Sequence, residues 1–207
     1  MAQHLVDGIG LWADIRCEMP AAAGPVLFVD RDGVLIEDRG FVGSAAQTQL
    51  YSDAPAAIAA ARALGYRVAI VTNQSGIARG LYDWSGFAAV QAVIDAALAR
   101  AGAAVDAVLA CAYHGDGRAP YAVADHFWRK PNPGMILEGL RRLHGIPTRS
   151  VMVGDKASDV AAARAAGLGM AVLIERSLPA ASVGAARASS LGEAIESLSR
   201  FRASEVS

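Results

Sequence analysis

The chain has 207 residues, a formal net charge of −1 and 54% hydrophobic residues. That length suits one domain with a substantial core, and the near-neutral charge offers no field for nucleic acid or an anionic membrane. No uncharged run approaches the roughly 18 residues a membrane helix needs, and two cysteines, Cys17 and Cys111, make no disulfide framework, so a reducing cytoplasm is expected.

Residues 1–24 read as an N-terminal extension. They lack a basic start and an apolar signal core, and Leu5, Ile9, Trp12 and Ile15 are spaced as one helical stripe. A short linker, Ala21 to Pro25, leads into residues 25–207, read as the main domain. Val26 to Val29 is a strand. Asp53 is placed to cap a helix running to Leu64, with Gly65 as its stop. Val68 to Val71 is a second strand, ending at Thr72-Asn73-Gln74. Trp84 to Ala101 is a long helix stopped by Gly102. Ala107 to Ala112 is a third, weaker strand. Asn132-Pro133 opens a helix ending near Gly145, with proline in the first position. Val151 to Val153 is a strand ending at Gly154-Asp155, and a helix follows to Ala166. Met170 to Ile174 is the last predicted strand. Leu191, Ile195, Leu198 and Phe201 mark a final helix.

Strands alternating with helices, and apolar throughout, predict an α/β fold: a three-layer Rossmann-like parallel sheet with helices on both faces. The irregular stretches 39–49 and 115–126 are too short to form a large cap domain.

In such a sheet, ligands bind beyond the carboxyl ends of the strands. Asp30 and Asp32 follow the first strand and Thr72-Asn73-Gln74-Ser75 the second; Arg129-Lys130-Pro131 precedes a helix, and Gly154-Asp155-Lys156 with Asp159 follows the fourth strand. Carboxylates suit a hard cation such as Mg²⁺, while a hydroxyl, a lysine and loop amides suit a phosphoryl group. One acid can attack while another moves protons.

These residues carry a resemblance. Asp30-x-Asp32-Gly33-Val34, Thr72-Asn73, Lys130 and Gly154-Asp155-x-x-x-Asp159 resemble, in order, the four motifs of the haloacid dehalogenase-like phosphohydrolases. The longer strings Phe28 to Gly33, Val71 to Gly80, Arg129 to Met135 and Met152 to Lys156 are similar to the D-glycero-D-manno-heptose-1,7-bisphosphate 7-phosphatases, with histidinol-phosphate phosphatases as close relatives. The resemblance implies Asp30 as nucleophile, Asp32 as proton shuttle, and Thr72 and Lys130 on the phosphoryl oxygens. It implies Mg²⁺ at Asp30, Asp32 (through its carbonyl) and Asp155. Lys156 either reaches the metal and phosphate region or balances the charge of Asp30 or Asp155. Asp159 would orient the metal's surroundings. Asn73, Gln74, Ser75 and the loop Asp38-Arg39-Gly40-Phe41 would contact substrate. Arg129 would reach past the transferred phosphoryl group.

Many of these relatives carry a zinc loop. Here Tyr113 and Trp128 stand at two of the ligand positions, beside Cys111 and His126, so no structural zinc is expected. An alternative site from Cys111, His114, Asp125 and His126 competes with a loop packed by Tyr113, Phe127 and Trp128. The cysteines are read as inert thiols. The expected partner is a small phosphorylated sugar, with no nucleic acid or membrane, and the expected state a monomer or weak homodimer. The competing functions are a histidinol-phosphate or general phosphomonoesterase, and a catalytically silent phospholigand-binding protein.

Overall fold

The computed structural model describes residues 4–18, 20–176 and 186–203, with side chains as far as 198. A seven-stranded sheet runs in the order β1-β4-β3-β2-β5-β6-β7. The strands are β1 (Leu11–Ile15), β2 (Val26–Val29), β3 (Arg67–Asn73), β4 (Ala107–Cys111), β5 (Val151–Gly154), β6 (Met170–Ile174) and β7 (Ala186–Ala188). All neighbours pair parallel except the edge pair β1 and β4, where Leu11 faces Cys111 in antiparallel register.

The helices are α1 (Ala54–Ala63), α2 (Ser75–Ala78), α3 (Trp84–Arg100), α4 (Gly134–Arg142), α5 (Ala157–Ala165) and α6 (Leu191–Ala203). The two-residue period of the strands sorts them into layers. Leu27 and Val29 of β2 pack with Ile58 of α1, Phe87 and Ile94 of α3, and Leu191 and Ile195 of α6. Val26 and Phe28 point the other way, toward Met135 and Leu140 of α4 and Ala162 and Ala163 of α5. The three-layer architecture is as the alternation predicts. The segments joining β2 to α1 and β4 to α4 add only turns, short loops and a single 3₁₀ turn at Ala45–Gln47, not a cap domain. No described helix is long and apolar enough to cross a membrane.

Residues 4–15 depart from the helical reading. Asp7 turns the chain, its Oδ1 accepting from the N–H groups of Ile9, Gly10 and Leu11 at 2.9–3.0 Å. The returning segment becomes β1. A five-residue segment is long enough for a strand and too short for a stable helix, and β4 would otherwise expose a row of unpaired amides. Trp12 is 5% exposed and stacks on Trp84 at 5.4 Å and against Phe87 at 5.4 Å. β7 and the short α2 were also not foreseen, since three- and four-residue elements carry no readable period. Phe201 of the expected last stripe lies outside the described side chains.

Asp53 precedes α1 as expected but makes no cap hydrogen bond to it. Its Oδ2 instead accepts the N–H of Gly192 at 2.9 Å, satisfying the start of α6. The fourth helix begins at Gly134, with Pro133 just outside it.

If β1 is structural, Trp12→Ala will lower unfolding free energy by about 3–5 kcal/mol, the usual loss for a buried tryptophan. Urea titration followed by circular dichroism measures it; a change under about 1 kcal/mol would make this strand peripheral.

Candidate active site

The strand order reverses at β2, with β3 and β4 to one side and β5, β6 and β7 to the other. A crevice opens at the carboxyl ends of β2 and β5 for that reason. Val29 lies opposite Val153, and the Asp30 N–H donates to the Val153 carbonyl at 3.0 Å. Asp30 therefore leaves β2 beside Gly154-Asp155. Gly33 makes the tight turn possible: its φ is +85°, and a Cβ there would lie 2.2 Å from Asp155 Oδ2.

Lys130 comes from the loop before α4 and is 3% exposed. Its Nζ lies 3.0 Å from Asp30 Oδ1 and 2.6 Å from Asp159 Oδ1, and donates to the Val71 carbonyl at 2.8 Å. Asn73 holds the lysine by its main chain, donating to the Lys130 carbonyl at 2.9 Å and accepting its N–H at 3.1 Å. Asn73, expected on substrate, thus spends its amide delivering Lys130. Asp159, expected beside a metal, pairs with Lys130 and accepts the Lys156 N–H at 3.0 Å.

Burial pushes the Asp30 carboxyl up and Asp159 adds to that, while Lys130 opposes it. Burial works against the Lys130 charge, but Asp159 and Asp30 outweigh it and hold the ammonium protonated. Asp155 rises to about 6, from burial first and then from Asp30, against the pull of Lys156.

Asp30, Asp155 and Asp159 present oxygen atoms within 4.8 Å of one another. Asp155 Oδ1 is buried without a hydrogen-bond partner, an unsatisfied anionic oxygen of the kind a hard cation completes. The donor set therefore fits Mg²⁺. The Asp32 carboxylate faces Arg31 and Gln74, which leaves its main-chain carbonyl as the group expected on the metal. Lys156 is not a metal ligand, since an ammonium has no lone pair for a cation; it reaches Asp38 at 3.0 Å and Asp155 at 3.8 Å, the charge-balancing alternative.

A cavity of about 180 Å³ opens beside these groups, lined among others by Asp32, Asp38, Phe41, Ser75, Tyr82 and Lys156. Asp38 also accepts the Gly40 N–H at 2.9 Å, which shapes the loop. Gly40, Asn73 and Gln74 share the lining. Arg39 points away and pairs with Glu37 at 2.7 Å on the exposed surface. Gln74 is 1% exposed and its amide is fully engaged within the protein, so it supports the site from beneath. Thr72, 1% exposed, accepts from Gln74 Nε2 at 2.8 Å, which leaves its hydroxyl hydrogen to donate outward. Arg129 is half-buried and donates to the Tyr113 carbonyl at 3.0 Å.

Arg31 and Tyr82 were not foreseen. Arg31 is the largest fully buried side chain, and its place between two acids was the available signal. Tyr82 carried none, because its place depends on the loop at Gly43 as well as on the nearby Gln74 and Gly76.

In the 111–128 segment, Tyr113 is buried, stacks on His126 at 4.5 Å and donates to Asp7 Oδ2 at 2.6 Å. Phe127, expected to pack this loop, is instead 57% exposed. His114 and His126 each use Nδ1 to accept a main-chain N–H, from Asp116 and Trp128. Burial raises the Cys111 thiol to about 11, leaving it inert at neutral pH.

A haloacid dehalogenase-like hydrolase family model matches residues 7–167. The chain is 46% identical over 151 residues to D-glycero-beta-D-manno-heptose-1,7-bisphosphate 7-phosphatase of Mesorhizobium japonicum, covering 73% of this chain and 70% of that one. It is 40% identical over 149 residues to the D-glycero-alpha-D-manno-heptose-1,7-bisphosphate 7-phosphatase of Burkholderia mallei, covering 72% and 78%. The crystal structure of D,D-heptose 1,7-bisphosphate phosphatase from B. bronchiseptica, complexed with magnesium and phosphate, superposes with a TM-score of 0.74 at 30% identity, covering 86% of this chain and 99% of that one. Sequence and fold agree over most of the chain, and the chain belongs to the haloacid dehalogenase-like hydrolase family.

Proposed function

We propose that this phosphatase removes the 7-phosphate of D-glycero-D-manno-heptose 1,7-bisphosphate through a phosphoryl-enzyme on Asp30. The observation that carries the reading is the buried Asp30 carboxylate, held 3.0 Å from Lys130 beside the unsatisfied oxygen of Asp155. Bound at Asp30, Asp155 and the Asp32 carbonyl, Mg²⁺ would supply positive charge against the phosphate. Asp30 attacks phosphorus as the bond to the sugar oxygen breaks, and Asp32 gives that oxygen its proton. Lys130 and the Thr72 hydroxyl take the charge on the phosphoryl oxygens. Asp32 then removes a proton from water as it attacks phosphorus, releasing phosphate and Asp30.

The second phosphate would meet Arg129, half-buried at the rim, which gives one N–H to the Tyr113 carbonyl and keeps the rest of its guanidinium to offer. Its neighbour Arg79 already pairs with Asp116 at 3.2 Å. The relatives' names include both anomers. A phosphate-release panel with Mg²⁺, both heptose bisphosphate anomers, histidinol phosphate and simple phosphomonoesters tests the reading. Equal or faster turnover of histidinol phosphate would overturn the heptose assignment.

Asp30→Asn will lower kcat at least about 10³-fold while the chain still folds, as circular dichroism checks; retained turnover would remove Asp30 as nucleophile. Arg129→Met will raise KM for the bisphosphate about 10- to 100-fold while sparing KM for monophosphates, the usual weight of a charge-assisted contact. For Asp155, a folded pKa of about 6 lies above the ordinary 3.8, so its ionisation destabilises the metal-free fold increasingly as pH rises through that interval. Asp155→Asn will therefore raise the metal-free melting temperature at pH 8 but hardly at pH 4, and will abolish the thermal shift that Mg²⁺ gives the native chain. Calorimetry with EDTA and with Mg²⁺ reads both effects.

A further inference from the structure

Asp32 can serve the sugar oxygen only if its carboxylate is aimed, and the aim is set by the side chains of Arg31, Gln74 and Tyr82 that hold it. Arg31 is fully buried and grips both Asp32 oxygens, Nε to Oδ2 and Nη2 to Oδ1, each at 3.1 Å. Nη2 also donates to Gln74 Oε1 at 3.0 Å and to the Val42 carbonyl at 3.2 Å. The Tyr82 hydroxyl donates to the same Oε1 at 2.6 Å. Two donors on Oε1 fix the direction of the amide. Its Nε2 must face the other way, where it donates to Asp32 Oδ2 at 3.0 Å and Thr72 Oγ1 at 2.8 Å. A reversed amide would set its carbonyl against the Asp32 carboxylate and its N–H groups against two donors.

Tyr82 reaches this point because glycines leave room for its ring. A Cβ on Gly43 would lie 2.3 Å from Tyr82 Cγ, and one on Gly76 would lie 2.2 Å from Cε1. The two glycines come from separate segments, the loop after Phe41 and α2. Burial holds the Tyr82 phenol up at about 12, so it stays protonated and donates.

We propose that Tyr82 and Arg31 are positioning residues that aim Asp32 at the leaving oxygen through the polarised amide of Gln74. The proposal rests on the reading of Asp32 as proton donor, and leaving-group dependence separates the two. A sugar alkoxide needs a proton to depart, whereas p-nitrophenolate leaves as a stable anion. The readout is kcat/KM with Mg²⁺ for heptose 1,7-bisphosphate and for p-nitrophenyl phosphate. Tyr82→Phe will lose about tenfold on the sugar phosphate and under about threefold on the aryl phosphate. Gln74→Glu, which replaces the N–H pair by an acceptor facing Asp32 and Thr72, will lose on both substrates through Thr72 and by about a further tenfold on the sugar phosphate. It carries the test if Tyr82→Phe does not fold, as judged by thermal melts. Asp32→Asn sets the limit of the asymmetry. If Asp32→Asn is asymmetric while Tyr82→Phe and Gln74→Glu lose equally on both substrates, or lose nothing, the positioning role is overturned alone. If Asp32→Asn loses equally on both, the proton-donor reading falls and this proposal with it.

Discussion

Lys130 and the two carboxylates it touches are the constraint around which the site is arranged. Bringing Asp30 and Asp159 together inside a protein is costly, because each buried anion loses its hydration and repels the other. An ammonium 3.0 Å from one and 2.6 Å from the other offsets that cost. The lysine is itself tethered: its Nζ is tied to β3 through Val71 and its main chain to Asn73. Elements distant in sequence are locked into one register by this exchange of charge. The chemistry inherits that rigidity, since a pre-arranged cation needs no reorganisation when phosphate arrives.

The same arithmetic explains which oxygen is left over. Asp159 sets one oxygen against the Lys130 ammonium as an ion pair and the other on the start of α5. Asp155 keeps one buried oxygen with no hydrogen-bond partner. A protein can tolerate such a group when a ligand completes it, and an oxygen beside the Asp30 carboxylate suits a cation. Lys156 serves as a bridge from this acid to Asp38 in the loop above, so the wall of the cavity and its floor share charge.

Much of this was legible in the sequence because it is local. Apolar strands ending in Asp30, Thr72 and Asp155 announced a parallel sheet and its active edge, since strand ends are where such sheets bind ligands. What escaped was non-local or short. Residues 11–15 became a strand because β4 needed a partner, a demand invisible along the chain. Asp53 stood before one helix yet capped another, because α6 packs against the start of α1 only in three dimensions. Gln74 and Asn73 looked like ligand contacts by adjacency to Thr72. Both line the cavity, but their amides are also spent within the protein, Gln74 on Asp32 and Asn73 on the main chain of Lys130, partners set by the fold rather than by sequence. Tyr82 was hidden because what selects it is space vacated by glycines in other segments.

The antiparallel pairing of β1 with β4 sets which end of the sheet the early chain occupies. Leu11 pairs with Cys111, at the carboxyl end of a parallel-sheet strand, and the turn at Asp7 binds Tyr113 in the next loop. Residues 4–10 consequently border the rim that carries Arg129, rather than the opposite pole of the domain. A fusion partner or affinity tag joined ahead of residue 4 would lie on the Arg129 side of the domain, so kinetic comparisons between tagged and untagged preparations test whether substrate enters there.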